Sequence, residues 1–240
     1  MLFFYVRHGD PIYSPNQLTP LGQRQAEAIG KRLAVHGVDK IFASTSNRAM
    51  QTAQPTCEIL KKELTVIDFC NEDRAWADFA PLLPDGRKTW AFYHPDVRRL
   101  FVDPSVAALG LKWYEHPELQ KYNFKKGVDR TGKYMDAFFR TLGYEHIPGT
   151  GTYKAIRPND DRVALFAHQG FSMNFMSHLL DVPYPFFSTH FDICHTGLIV
   201  IEFKDEGDGI VIPKVLTHSS DAHIYKEGLP TNYCNYIRFC

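Results

Sequence analysis

Leu2-Phe3-Phe4-Tyr5-Val6-Arg7-His8-Gly9-Asp10 is the stretch that decides the fold. Its run of apolar and aromatic residues predicts a buried strand, which leads directly into an arginine, a histidine and a glycine. In an open α/β sheet, ligands bind at the carboxyl ends of the strands. A guanidinium placed there can grip a phosphate with two N–H groups, and an imidazole can serve as nucleophile or proton carrier. A glycine lets the backbone come close to a ligand.

Two later stretches repeat the pattern. Ile41-Phe42-Ala43 is a short apolar strand that ends in Ser44-Thr45-Ser46-Asn47-Arg48, a polar turn opening a helix. Arg162-Val163-Ala164-Leu165-Phe166-Ala167 is another strand, ending in His168-Gln169-Gly170 before a helix. A parallel sheet brings all three strand ends to one edge, so Arg7, His8, Arg48 and His168 are expected to converge there.

On these residues the chain resembles the histidine phosphatase superfamily, the phosphoglycerate-mutase-like proteins. The resemblance is carried by Arg7-His8-Gly9, by Leu18-Thr19-Pro20-Leu21-Gly22 at a helix start, by Ser44 to Ala53 with Arg48, by Glu72, and by His168 after its strand. It covers roughly the first third of the chain and the stretch from Arg162 to Phe203. The implied fold is a three-layer α/β/α arrangement with a mostly parallel sheet. The implied chemistry is cleavage of a phosphate monoester through a phosphohistidine. The chain departs from the family's usual pattern after Gly9, where Asp10-Pro11 stands in place of a glutamate or glutamine followed by threonine.

Length and composition agree with an enzyme of this size. The 240 residues fit one domain over 1–240, with an inserted subregion. Lys+Arg and Asp+Glu number 27 each, so no basic excess points to nucleic acid. No run is long enough to span a membrane, and Leu2–Val6 is too short for a signal core. Cys57, Cys70, Cys194, Cys234 and Cys240 are irregularly spaced, which reads as reduced thiols in a cytoplasm and not as a disulfide framework.

Thr19 and Pro20 predict a helix start and Gly37 its stop. A second helix runs from about Ser46 toward Leu60, with a kink expected at Pro55. Thr65 to Phe69 reads as a strand. From about Arg74 to Asp161 the alternation of strand and helix is interrupted by mixed aromatics, prolines and charges. This subregion, about 74–161, reads as a cap over the sheet edge; the alternative is that it packs on the side of the sheet. Within it, Lys133 to Leu142 has helical spacing. Gly197 to Phe203 predicts a strand, Lys204–Gly209 a hairpin turn, and Ile210 to Leu216 the returning strand.

The chemistry assigns a role to each group. His8 is the expected nucleophile, since a neutral imidazole can attack phosphorus and its phosphoryl adduct is labile to water. Arg7, Arg48 and His168 are expected to hold the phosphoryl oxygens, His168 as a cation if it faces them, with Gly9 giving close backbone approach. Glu72 is the expected acid for the departing oxygen, with Asp73 as runner-up. The roles of Asp10, Asn16 and His195 stay open. His190-Phe191-Asp192-Ile193-Cys194-His195 is not read as a metal site, because in an extended chain His190 and Asp192 share a face that His195 does not.

This chemistry requires no metal or organic cofactor. The expected partner is a small phosphorylated substrate, without nucleic acid or membrane, and a homodimer is left open. A phosphoglycerate mutase, or a silent module that binds phosphorylated ligands, are the rival functions.

Overall fold

The computed structural model of the chain describes residues 1–233. In chain order the elements are β1 (Leu2–Arg7), β2 (Pro11–Ile12), β3 (Gln17–Leu18), α1 (Pro20–His36), β4 (Lys40–Ser44), α2 (Asn47–Leu60), β5 (Leu64–Ile67) and α3 (Glu72–Phe79). There follow α4 (Pro95–Phe101), α5 (Pro104–Ala107), a 3₁₀ stretch (Gly110–Glu115), α6 (Phe124–Thr141), β6 (Tyr144–Ile147) and β7 (Thr152–Ala155). The chain closes with β8 (Arg162–Ala167), α7 (Gln169–Leu180), α8 (Tyr184–His190), β9 (Leu198–Glu202), β10 (Ile210–Val211), β11 (Lys214–Ser220) and α9 (Ala222–Lys226).

The main sheet has the order β11-β9-β1-β8-β4-β5. β1 pairs with β8, β8 with β4 and β4 with β5, all parallel. β9 and β11 extend the other edge antiparallel. The three strands singled out by sequence are thus neighbours, and their carboxyl ends share one edge.

Alternation along β1 builds the two sides of the sheet. Phe4 and Val6 pack with Ile29 and Leu33 of α1 and Ala53 of α2. Phe3 and Tyr5 face the other way; Phe3 stacks on Phe175 of α7 and lies against Phe139 of α6, with ring centroids 5.7 and 5.3 Å apart. α1 begins as expected: Thr19 Oγ1 accepts from Gly22 N–H at 3.0 Å, Pro20 takes the first helical position, and Gly37 closes the helix at φ 73°. α2 runs to Leu60 as expected, with Pro55 inside it and Pro55 and Thr56 against Gly30 of α1, where a Cβ would come within 3.1 Å of Pro55 Cβ.

Two expectations need correction. The stretch from Ile210 is not one returning strand. Ile210–Val211 pairs with β7 in a second, three-stranded sheet with β6, and the partner of β9 begins at Lys214. The 74–161 segment is not uniform either. Its α6 covers the main sheet through Phe138 and Phe139, whereas Trp90 and Tyr93 reach the edge where the strands end.

No helix of the described residues is long and apolar enough to cross a membrane. Cys57, Cys70 and Cys194 are buried free thiols, and Cys234 and Cys240 lie outside the described residues.

Candidate active site

The site is built where β1, β4 and β8 stop. His8, one residue past β1, is buried, and its backbone N–H donates to Ala167 O at 2.9 Å. Its Nδ1 lies 2.8 Å from Gly9 O, a contact that places the proton on Nδ1 and leaves the Nε2 lone pair available. Burial, followed by the His168 ring and the guanidiniums of Arg7 and Arg48, holds the ring well below its ordinary pKa, and therefore neutral.

His168 caps β8 and precedes α7. Tyr5 fixes its backbone from both sides, donating its hydroxyl to His168 O at 2.7 Å and accepting from His168 N–H at 3.2 Å. The two rings of His8 and His168 lie 5.3 Å apart. His168 Nε2 is 2.8 Å from Ser44 Oγ at the end of β4. With Ser44 donating to Nε2, the His168 proton sits on Nδ1, a buried atom with no hydrogen-bond partner among the described residues. Burial, then Arg48 and Arg7, keep this ring neutral too, so the expected cationic His168 is not the form of the ligand-free site.

Arg48 lies in the first turn of α2. Its NH1 donates to Asn16 Oδ1 at 3.1 Å and its NH2 to Glu72 Oε2 at 2.9 Å. Its Nε is buried and has no partner among the described residues. Glu72 opens α3; its second oxygen accepts Gly170 N–H at 2.9 Å, and Oε2 is 3.6 Å from His168 Nδ1. Arg7 donates from NH1 to Ile193 O at 2.6 Å and from NH2 to His195 Nε2 at 2.8 Å.

The donor atoms of His8, Glu72 and His168 lie within 4.8 Å of one another, as metal ligands would. Arg48 in contact with Glu72, and both guanidiniums acting on the imidazoles, oppose a cation there. Neutral imidazoles, guanidinium forks and unpartnered buried N–H groups make a site for an anion with several acceptor oxygens.

Residues 3–77 match the family model described as histidine phosphatase superfamily (branch 1). The matched segment, which holds Arg7, His8, Arg48 and Glu72, is similar to that superfamily. The mitochondrial serine/threonine-protein phosphatase Pgam5 of Drosophila sechellia is 30% identical over 129 residues, 50% of this chain and 43% of that protein. The chain thus spans less than half the length of the curated relatives it matches. Among solved structures, mycobacterial hydrolase 1 has a TM-score of 0.58 at 16% identity, covering 91% of this chain and 98% of its own. The phosphoserine phosphatase of Entamoeba histolytica, solved as a mutant with phosphoserine, has a TM-score of 0.58 at 17% identity, covering 93% and 98%. At such identities the two structures attest the fold.

Within this fold, the sequence-derived residues Arg7, His8, Arg48, Glu72 and His168 all meet at one place. Asp73 does not: it is exposed, and its backbone N–H is taken by the Asn71 cap of α3. Gly9 has a packing role as well: a Cβ there would come 2.7 Å from Gly22 O of α1, and Gly9 N–H donates to Thr52 Oγ1 at 3.0 Å.

Asn16, left open by sequence, orients Arg48: its Oδ1 also accepts from Ser46 Oγ at 3.1 Å. Asp10 and His195 join the site as a pair. His195 Nδ1 is 3.4 Å from Asp10 Oδ1, and Asp10 Oδ2 accepts the Thr19 hydroxyl at 2.7 Å. Burial and then Arg7 push His195 down to about 2, so it accepts from Arg7 as a neutral ring. Asp192 accepts from Gln169, and His195 is turned to Arg7, so the His190–His195 stretch is divided between two tasks. Gln169 and Tyr5 were not foreseen; an internal strand tyrosine carries no sequence mark of its partner.

Proposed function

We propose that the chain hydrolyses a phosphate monoester through a phosphohistidine at His8. One observation carries this reading: beside an imidazole whose Nε2 lone pair is available, two buried N–H donors, Arg48 Nε and His168 Nδ1, have no partner among the described residues. Leaving such a donor unsatisfied costs about 1–3 kcal/mol. A phosphoryl group supplies the acceptor oxygens that both lack.

In the first step His8 Nε2 attacks phosphorus, the N–P bond forms and the ester P–O bond breaks. The equatorial oxygens are held by Arg7, Arg48 and His168 Nδ1. Glu72, acting as the general acid, gives a proton to the departing alkoxide. In the second step Glu72 takes a proton from water, the water oxygen bonds to phosphorus, and the N–P bond breaks to release phosphate. His195 and Asp10 act as positioning residues by fixing Arg7.

The 74–161 segment supplies a wall of the site in this reading. A Cβ on Gly170 would run into the Trp90 ring, so the indole lies over the start of α7. Tyr93 accepts from Gln169 Nε2 at 3.1 Å. Tyr93 and Asp192, both bonded to Gln169, help line an adjacent cavity of about 360 Å³. This is the space we assign to the organic part of a small substrate, and the phosphoserine bound by the Entamoeba histolytica neighbour makes phosphoserine a natural first candidate. The three buried free thiols suit a reducing compartment.

The test is turnover of a chromogenic aryl phosphate and of phosphoserine near pH 6, with chelator present. Wild type should release free phosphate and His8→Ala should not. Equal turnover by both proteins would exclude His8 as nucleophile, and an isomerised ester in place of free phosphate would mean a mutase.

A further inference from the structure

Away from His8, a second polar cluster lies where α6, β6 and α7 meet. Asp136 comes from α6, His146 from β6 and His178 from the last turn of α7. Asp136 Oδ1 is 2.7 Å from His178 Nε2 and 3.1 Å from His146 Nδ1. One donor atom from each of the three lies within 4.8 Å of the others. On its far side His146 Nε2 is 3.1 Å from Asp181 Oδ2, an oxygen that also accepts Gly151 N–H at 2.8 Å.

The His146 side chain is only 2% exposed, yet its Nδ1 has no hydrogen-bond partner among the described residues. The Asp136 oxygen is close enough but lies off the line of a hydrogen bond. A ring nitrogen this close to a carboxylate oxygen requires a proton or a metal cation between the two atoms: the imidazolium form supplies the first, and a bound metal ion can take its place.

We propose that Asp136, His146 and His178 bind a divalent transition-metal ion of the zinc type, with Asp181 orienting His146 from behind. Ligand atoms about 2.0–2.2 Å from a tetrahedral ion lie roughly 3.3–3.5 Å apart; the 3.1 Å contact is near that spacing, and the 2.7 Å hydrogen bond from His178 would open to admit the ion. Two imidazoles and one carboxylate suit zinc or cobalt better than magnesium or calcium, which prefer all-oxygen shells. A ligating histidine characteristically gives its other N–H to a carboxylate, the relation His146 has to Asp181.

Gly132, one turn before Asp136 on α6, makes room for this arrangement. A Cβ there would lie 2.8 Å from His178 Cε1, so a helix-interior glycine, unfavourable by about 1 kcal/mol, accommodates the imidazole. Asp136 is 41% exposed, which gives an ion access from solvent and leaves room for a water as fourth ligand. The ion would tie β6 and α6 to the end of α7. Catalysis needs no step at this site, and the inference is independent of the function proposed for His8.

Cobalt(II) added to the full chain, stripped with chelator, is the test. One equivalent should bind with the visible d–d absorption of a tetrahedral nitrogen–oxygen site and should raise the melting temperature. Asp136→Asn and His178→Gln should each weaken binding at least about tenfold, and Asp181→Asn about 10–100-fold, while His8→Ala leaves it unchanged. Far-UV dichroism checks that the exposed-site variant Asp136→Asn is folded. Absence of d–d absorption in wild type would overturn the proposal, as would absorption that survives in His178→Gln and Asp136→Asn but is lost in His8→Ala.

Discussion

α7 has histidines at both ends, and the two ends are electrostatic opposites. At its start, His168 stands with His8 and His195 among the guanidiniums of Arg7 and Arg48. At its finish, His178 stands with His146 between the carboxylates of Asp136 and Asp181. Burial and then the guanidiniums hold the first group neutral, with His195 pushed down to about 2. At the other end burial also opposes charge on His146, but Asp136 and Asp181 outweigh it and push the ring up to about 9. The helix dipole points the same way, positive toward His168 and negative toward His178. The same side chain therefore serves an anion at one end and a cation at the other, and its neighbours decide which.

If arginine neighbours make the His168 end an anion site, Arg48→Ala should do the most damage. It removes a donor that acts in the transition state, and kcat/KM should fall by about 10³-fold. Retained kcat/KM in steady-state assays would break the comparison at its strongest point.

The arginine-side histidines should also make the fold acid-sensitive. His223 lies 3.4 Å from Arg32 NH1 and 3.0 Å from Thr196 Oγ1, and burial followed by Arg32 pushes it down to about 4. Above pH 6.5 the ring is neutral in both states and contributes nothing to pH dependence. As pH falls from 6.5 toward 4 the unfolded chain takes up a proton that the folded chain refuses. Stability should then fall by about 3 kcal/mol from this residue alone. Urea titrations at pH 7 and pH 4.5 should show a smaller loss for His223→Gln than for wild type, and equal losses would contradict the assignment.

Glu72 is the carboxylate at the arginine end. If it protonates the leaving group, Glu72→Gln should cost about 10²-fold on an alkyl phosphate such as phosphoserine and much less on an aryl phosphate. Aryl oxides depart without a proton. Equal losses on both substrates would reduce Glu72 to an anchor for Arg48 and Gly170.

The first of these two ends was legible in the sequence, and the second was not. β1, β4 and β8 are short apolar runs that end at chemically marked residues, and a parallel sheet aligns such ends, so Arg7, His8, Arg48 and His168 could be placed together in advance. Glu72 followed from resemblance. Asp10 and His195 lie far apart in the chain and meet only because β9 pairs beside β1, a fact of topology. Asp136, His146 and His178 come from two helices and a short strand inside a segment whose mixed composition hid the β6–β7 hairpin. The packing of Gly9 on Gly22 of α1 was hidden too, because the two glycines meet only through the fold.

The proposed chemistry places a covalent phosphoryl group on His8. The direct measurement is to mix the chain with radiolabelled phosphoserine, or another turned-over monoester, quench in alkali and locate the label by peptide mapping. Acid-labile label is expected on the peptide containing His8, and none in His8→Ala. Turnover without that label, or label on a different residue, would contradict it.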